Sequence, residues 1–229
     1  MIVLKLFLIK KKDLIICTAA ILAVLNILLF SADRAVKVMA GKMHVPILCV
    51  QTQEKKLALT FDIVAETDVD EIIKELNGEK ATFFISEERF EREPQKMADI
   101  TKNGYEIQLL EENLKGRTKE EIFDRLAQRI ERTSFILKYN CDKMRFYNNL
   151  YDNNSVKAIY SLGLYPVQWS ADSTAEYFSA GDIVRIEKET DVSDFVEALK
   201  KDGFQLVTVS ELLLKENYKI DLSGIQISD

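Results

Sequence analysis

The sequence predicts an α/β protein: an irregular (β/α)7 barrel preceded by one N-terminal transmembrane helix. Across residues 45–215, apolar runs of strand length alternate with stretches of helical period, and the connections between them are short. About seven such strands fit a closed or nearly closed barrel better than an open doubly wound sheet, and no glycine-rich dinucleotide loop follows any of them. A long uncharged apolar run lies near the amino terminus.

The amino-terminal run predicts a membrane anchor. Residues 1–13 carry four lysines and one aspartate, and residues 14–30 carry no charge. A helix of that length spans about 26 Å, slightly less than the hydrocarbon core of a bilayer. We expect a cytoplasmic basic segment over 1–13, an uncleaved signal anchor over 14–32 and a polar stalk over 33–44, with a cleaved signal peptide as the alternative. The protein is then a single-pass protein of the cell membrane with its C-terminal domain outside the cytoplasm.

The predicted strands follow the stalk. VPILCVQT, residues 45–52, is expected to be a leading strand. Seven further runs are predicted as the strands of the barrel: KLALTFD, KATFFIS, YEIQLL, KMRFY, LYPVQWSAD, DIVRIEK and FQLVTVS.

Five predicted helices lie between these strands: DVDEIIKEL, EPQKMADITKN, TKEEIFDRLAQRIERTSFILKY, NSVKAIYSLG and DVSDFVEALKKDG. Pro94 fits the first turn of the second helix, and Gly104 follows its end. Thr118 and Glu121 form a capping-box pattern at the start of the longest helix. An apolar stripe is predicted along that helix from Ile122, Leu126, Ile130 and Phe135.

Four predicted strands carry a charged residue at or near their carboxyl ends. LALTFD closes on Asp62, a carboxylate at the end of an apolar run. Leu110, Arg145, Asp172 and Glu187 also fall at or just past strand ends. In barrels of this kind the working groups sit at the carboxyl ends of the strands. A functional site is therefore expected there.

Composition restricts the chemistry and the partners. The total charge is −6, and because residues 1–13 carry +3, the rest of the chain carries −9. Such an acidic domain repels nucleic acid and polyanionic polymers, so a neutral or cationic glycan or a protein is a better partner. His44 is the single histidine, which excludes a metal cage of two or three histidines. Cys17, Cys49 and Cys141 show no C-x-x-C spacing, and either a Cys49–Cys141 disulfide or two free thiols is compatible with the sequence.

The order of short segments over residues 45–215 resembles the polysaccharide deacetylase family, whose domain is of the NodB-homology type. The matching segments are LTFD, KATFF, NGYEI, RFYNN, VQWSADS, AGDIVRIEK and DGFQLVTVSELL. VPILCV shortly before LTFD, with VQWSADS later, is most similar to the membrane-anchored, sporulation-associated branch. The resemblance implies an irregular barrel, and it leaves residues 216–229 as a C-terminal tail.

The resemblance also implies a chemistry. Members of the family are hydrolases that act on the carbon–nitrogen bonds of N-acetylated sugars in chitin or peptidoglycan. An aspartate and two histidines hold a divalent metal, usually zinc, that polarises the amide and the attacking water. A second aspartate is the general base, and a late-strand histidine protonates the leaving amine. An arginine and a further aspartate orient the base and the acid.

When the family's motif is aligned with this sequence, none of the three metal-ligand positions carries a metal-binding residue. Ile63 stands where the metal aspartate is usual, and Leu110 and Leu114 stand where the two histidines are usual. Leucine coordinates no ion, so no metal and no cofactor are expected. Glu111 and Glu112 lie beside the leucines, and at least one of them should face solvent.

The supporting positions are kept in part. Asp62 matches the general base, Arg145 its orienting partner and Asp172 the orienting aspartate, whereas Glu187 replaces the acid histidine. Asp62 and Arg145 are compatible either with a catalytic pair or with an ion pair that closes the barrel mouth. Asp172 and Glu187 are expected to point apart or to be neutralised by Arg185 or Lys188.

Aromatic residues near the same strand ends are candidates for glycan binding. Tyr147 and Trp169 are the expected substrate-binding residues, with a core position for Trp169 as the alternative. The sequence thus predicts a degenerate, membrane-anchored member of the family that binds cell-wall glycan or an envelope protein. The alternatives are an active deacetylase and a metal-free hydrolase that works through Asp62, Asp172 and Glu187.

Overall fold

The structure is a computed structural model that describes residues 44–229. The basic segment 1–13, the anchor 14–32 and nearly all of the stalk 33–44 lie outside the described residues. Within residues 44–229, no helix is both long enough and apolar enough to cross a membrane.

A parallel sheet of eight strands forms the centre of the fold. Its strands are β2 (Lys56–Ile63), β3 (Thr82–Ile85), β4 (Glu106–Glu111), β5 (Lys143–Phe146), β6 (Tyr165–Pro166), β7 (Ala171–Asp172), β8 (Ile183–Arg185) and β9 (Gln205–Val207). Their order is β6-β5-β4-β3-β2-β8-β7, and β9 also pairs with β2. Every pairing among them is parallel, as the alternation of strands and helices predicted.

The predicted strand LYPVQWSAD is two strands, β6 and β7, at opposite edges of the sheet. Residues 167–170 join them and leave the ladder, because Val167 bridges to Ile47 instead. Four residues thus link the two edges, which requires the sheet to curl strongly. The expected barrel is observed as a curled parallel half-barrel, with eight strands where seven were predicted.

Seven helices occur in the described part of the chain: α1 (Val69–Leu76), α2 (Glu87–Arg92), α3 (Pro94–Lys102), α4 (Lys119–Leu137), α5 (Asn153–Ser161), α6 (Val192–Lys201) and α7 (Val209–Leu212). The five predicted helices are confirmed. So are Pro94 in the first turn of α3 and the capping box of Thr118 and Glu121 on α4. The short helices α2 and α7 were not predicted, because their segments carry too few apolar residues for a periodic signal.

The predicted stripe on α4 is wrong at its end. Ile122 and Leu126 are buried, but Phe135 is 73% exposed. The buried face continues instead through Arg129, Thr133 and Leu137. Because Arg129 and Thr133 are polar, a pattern based on apolar residues alone does not predict that they are buried.

A second, small sheet combines the two ends of the described chain. Its strands are β1 (Cys49–Val50), β10 (Tyr218–Ile220) and β11 (Ile225–Ser228), in the order β1-β11-β10. Segment 216–229, expected as a tail, therefore forms a hairpin. The leading strand expected over 45–52 is reduced to β1 and a bridge at Ile47.

Candidate functional site

Asp62 and Arg145 form an ion pair at the carboxyl end of the sheet. Asp62 is the penultimate residue of β2, and Arg145 lies near the end of β5. The Nη1 of Arg145 donates to Oδ1 of Asp62 at 2.9 Å, and its Nη2 donates to the carbonyl of Gln168 at 3.3 Å. The Arg145 side chain is completely buried. Burial lowers the pKa of its guanidinium, and the Asp62 carboxylate opposes that shift.

Arg145 also takes part in a series of cation–π contacts in which aromatic rings and guanidinium groups alternate. The guanidinium carbon of Arg145 lies 4.0 Å from the ring centre of Phe84 and 5.4 Å from that of Trp169. The guanidinium carbon of Arg185 lies 4.0 Å from the Trp169 ring. We call Phe84, Arg145, Trp169 and Arg185 the cation–π column. Each such contact contributes about 0.5–2 kcal/mol, depending on burial.

The two carboxylates predicted on the late strands are each engaged. Glu187 forms an ion pair with Arg185. Asp172 accepts from the Thr174 hydroxyl at 2.5 Å and from its backbone N–H at 3.0 Å. These bonds hold the pKa of the Asp172 carboxyl below its ordinary value, and Arg185 lowers it further.

Leu110 occupies the inner face of the sheet next to this site. It is 1% exposed and belongs to the apolar cluster on the concave side, together with Phe84 and Val167. Ile63 and Leu114 are both 0% exposed, but they pack in the other cluster, between the sheet and its helices. The three hydrocarbon side chains therefore do not converge on one point.

The glutamates beside Leu110 have other roles. Glu111 is buried and forms ion pairs with Arg129 and Arg125 of α4. Arg129 also donates to the carbonyls of Leu110 at 3.0 Å and of Ile85 at 2.7 Å, which ties the helix to the strand ends. Glu112 is exposed, as expected for one member of the pair.

Tyr147 begins a 3-10 turn directly after β5. Its ring is partly buried and packs against the concave-side cluster. The turn continues through Asn148 and Asn149, both with positive φ, a conformation that asparagine tolerates better than most residues. Asn149 accepts a hydrogen bond from Gln168 at 2.5 Å. The structure thus brings Asp62, Arg145 and Trp169 together, with Tyr147 beside them on the same cluster.

A model of the polysaccharide deacetylase family matches residues 50–167, just over half of the 229-residue chain. The chain belongs to the polysaccharide deacetylase family. No curated protein sequence matches it significantly.

Solved structures of polysaccharide deacetylases share the fold. A wild-type CE4 family pseudoenzyme from Bacillus anthracis gives a TM-score of 0.66 at 18% identity, and the match covers 81% of this chain and 73% of that chain. A peptidoglycan N-acetylglucosamine deacetylase gives 0.66 at 18%, covering 76% and 94%. The chitin deacetylase of the fungus Colletotrichum lindemuthianum gives 0.62 at 19%, covering 76% and 93%.

The residues present do not fit the metal that the family uses. The three positions that the sequence resemblance aligns with the family's ligands carry Ile63, Leu110 and Leu114, none of which has a donor atom. Among residues 44–229, no group of three or more His, Cys, Asp or Glu side chains is placed to hold a metal ion. His44, the single histidine, packs near Tyr160 with ring centres 6.4 Å apart.

Two residues of the candidate site were not predicted from the sequence. Phe84 supports Arg145, and Gln168 brackets the end of β5 by accepting from the N–H of Phe146 at 3.2 Å and donating to its carbonyl at 2.9 Å. Phe84 pairs in register with Asp62, so both point to the same face. That register is known only from the structure, and Gln168 lies in the break between β6 and β7, so the sequence gave no signal for either residue.

Both cysteines of the described region are free thiols. Burial raises the pKa of the Cys49 thiol to about 11 and that of the Cys141 thiol to about 12, with nearby carboxylates adding to both shifts. Thiols with such pKa values are protonated at neutral pH, so neither is an activated nucleophile.

Proposed function

We propose that this chain is a catalytically silent member of the polysaccharide deacetylase family that works in the cell envelope by binding rather than by hydrolysis. One observation carries the proposal: Leu110, which corresponds to a metal histidine of the family, is buried in the concave-side apolar cluster and pairs in register with Arg145, the partner of Asp62. A Lewis acid contributes several kcal/mol of transition-state stabilisation, and hydrocarbon side chains supply none of it.

In this proposal, the three carboxylates that correspond to the family's catalytic and orienting positions have a structural role. Arg145 holds Asp62, Arg185 holds Glu187, and Thr174 holds Asp172. A general base must be within reach of a water or a substrate proton. The ion pair with the buried Arg145 guanidinium occupies Oδ1 of Asp62, and only 12% of the Asp62 side chain is exposed.

Two hydrolytic alternatives have less support. Deacetylation of N-acetylated cell-wall glycan requires the metal donors that are lost. A metal-free hydrolase working through Asp62, Asp172 and Glu187 requires one carboxylic acid that is protonated near neutral pH. The hydrogen bonds on Asp172 favour its ionised form instead.

The cellular setting follows from the amino-terminal sequence. The lysine block in residues 1–13 and the uncharged run in residues 14–30 support a single-pass anchor with the domain outside the cytoplasm. The similarity of VPILCV and VQWSADS to the sporulation branch supports a role in that process.

The partner is cell-wall glycan or an envelope protein. Two cavities in the described region are lined by other residues, and Asp62, Arg145 and Trp169 line neither of them. The guanidinium groups of Arg145 and Arg185 lie 5.4 and 4.0 Å from the centre of the partly buried Trp169 ring, which leaves less of the ring for a sugar. The packing around Asp62, Arg145 and Trp169 therefore favours a protein partner at the carboxyl end of the sheet, with any glycan bound elsewhere on the domain.

The test is an assay of the full-length chain in detergent. It is incubated with zinc or cobalt, its metal content is measured by mass spectrometry, and acetate release is followed from triacetylchitotriose and from peptidoglycan. We expect substoichiometric metal and no acetate, with an active peptidoglycan deacetylase assayed in parallel as the positive control. Zinc-dependent acetate release that is abolished by Asp62→Asn would refute the proposal.

A further inference from the structure

A cavity of about 700 Å³ opens at the amino ends of the strands, opposite to Asp62 and Arg145. Glu106, Lys143 and Tyr165 line it, and they are the first residues of the neighbouring strands β4, β5 and β6. Ser210 of α7 closes one side. The volume lies within the range of about 300–1,000 Å³ that is typical of small-ligand sites.

Glu106 holds the wall of this cavity in place. Its buried carboxylate accepts from the Thr82 hydroxyl at 2.7 Å and from Nε2 of Gln108 at 2.7 Å. It also accepts from the N–H of Ser210 at 3.0 Å and from the Ser210 hydroxyl at 2.5 Å. Four donors occupy its two oxygens, so this carboxylate orders the surrounding side chains and has little capacity left for a ligand.

Lys143 is different, because its ammonium group keeps unused hydrogen-bonding capacity. Its side chain is only 6% exposed. It donates to Oδ1 of Asp142 at 2.5 Å, whereas Oε1 of Glu106 lies 3.7 Å away, too far for a hydrogen bond. An ammonium has three N–H donors, so two of them have no acceptor among residues 44–229. Buried donors are normally satisfied, and the adjoining cavity is the place from which an acceptor can reach them.

The charges of the lining balance. Three lysines, Lys102, Lys143 and Lys215, accompany three acids, Glu106, Asp142 and Glu211. A phosphate or polyanion site needs a surplus of cations, and a polyamine site needs a surplus of carboxylates. This lining provides neither.

The remaining walls combine aromatic faces with polar groups. Tyr105 and Tyr165 supply rings, and Asn140 supplies an exposed amide that donates and accepts. Ligands with apolar ring faces and many hydroxyl groups satisfy such a wall, because each hydroxyl can both donate and accept.

We infer that the amino-end cavity binds a neutral, hydroxyl-rich ligand of the class of a short uncharged oligosaccharide. Lys143 donates to oxygen atoms of the ligand, Tyr165 packs on a ring, and Asn140 bonds a hydroxyl at the rim. This site lies at the opposite end of the sheet from the cation–π column, and its existence does not depend on whether the chain is catalytically silent.

The test is calorimetric titration of the full-length chain with two neutral trisaccharides, triacetylchitotriose and maltotriose. The Tyr165→Ala and Asn140→Ala variants are titrated alongside Tyr177→Ala and Asn154→Ala, matched substitutions of exposed residues outside the cavity. We expect at least one trisaccharide to bind, about five- to tenfold weaker binding in each cavity variant and unchanged binding in each control.

Two charged trisaccharides define the ligand class: fully deacetylated chitotriose, which is cationic, and trigalacturonate, which is anionic. We expect both to bind more weakly than the neutral sugar. Three results overturn the inference: no binding of either neutral trisaccharide, binding that both cavity variants leave unchanged, or tighter binding of a charged trisaccharide. The acetate assay fails or succeeds independently of these titrations, so the two proposals are tested separately.

Discussion

Arg145 and Asp62 share one hydrogen bond of 2.9 Å but differ in their access to water. The Arg145 side chain is completely buried, whereas 12% of the Asp62 side chain is exposed. Arg145 therefore depends on its partner more than Asp62 does. The ion pair joins the end of β2 to β5.

This difference in burial predicts an asymmetry between two substitutions. Asp62→Ala leaves a fully buried guanidinium without its carboxylate, and we expect the free energy of unfolding to fall by about 3–5 kcal/mol. Arg145→Met leaves a carboxylate that water can reach, and the methionine still packs on Phe84, so the loss should be smaller. Urea unfolding of the two variants measures both values. Equal losses, or a larger loss for Arg145→Met, would contradict this account of the pair.

Leu110 gives a second prediction, on metal binding. Leu110→His places a polar imidazole among buried apolar side chains, and we expect a loss of about 2–4 kcal/mol in the free energy of unfolding. The variant should gain no tight zinc site, because Ile63 and Leu114 pack in the other cluster. Leu222→His is the control, since Leu222 is exposed and its replacement should be nearly neutral. One equivalent of tightly bound zinc in Leu110→His alone would show that the donor set is more complete than described.

The chemistry of the strand ends was predictable from the sequence because it depends on residue type and on position along a strand. Asp62 and Asp172 end predicted strands, Arg145 lies near the end of another, and parallel strands bring such positions to one edge. The cation–π column was not predictable, because it depends on which strands are neighbours and in which register. Trp169 lies in the break between β6 and β7, and only the curl of the sheet brings it to Arg145 and Arg185.

Buried charge explains other differences between prediction and structure. Arg129 lies on the inner face of α4, where the apolar pattern predicted no charge, because Glu111 and two strand-end carbonyls satisfy its donors. Glu106 and Lys143 lie in predicted strands, and the sequence pattern marks neither as a buried charge. Sequence patterns assign charged residues to solvent, and they fail where folding provides each charge with partners.

A third prediction concerns the dependence of stability on pH at α5. Asp152 caps this helix by accepting from the N–H of Ser155 at 2.8 Å, and it also accepts from the N–H of Gly116 at 2.8 Å. These backbone hydrogen bonds hold the pKa of the Asp152 carboxyl below its ordinary value. We expect Asp152→Ala to cost about 1 kcal/mol at pH 7.

The sign of the pH effect follows from the lowered pKa in the folded state. The charge of Asp152 stabilises the fold above the unfolded-state pKa of about 3.9, and that contribution disappears as pH falls through the folded-state value. The stability difference between the wild type and Asp152→Ala should therefore be constant from pH 7 to 5 and shrink below pH 4. Urea unfolding at several pH values measures it, and a difference that grows on acidification would rule out the cap as its source.

The last prediction concerns the Glu106–Lys143 pair at the amino end. Lys143→Met leaves Glu106 with four other donors, so we expect a loss of only about 1–3 kcal/mol in the free energy of unfolding. Glu106→Gln turns an amide N–H₂ toward groups that themselves donate and leaves the Lys143 ammonium without its nearby carboxylate, for a loss of about 3–5 kcal/mol. The double variant should lose less than the sum, with a coupling of about 1 kcal/mol or more.

Lys200 and Glu79 provide the comparison for this cycle, because their ion pair is solvent-exposed. The corresponding cycle, with Lys200→Met and Glu79→Gln, should give a coupling below about 1 kcal/mol. Equal couplings in the two cycles would mean that burial does not strengthen the interaction of Lys143 with Glu106. The buried Lys143 ammonium would then be stabilised by Asp142 and by a ligand in the amino-end cavity. That result would separate the structural role of Lys143 from its role as a donor to a ligand.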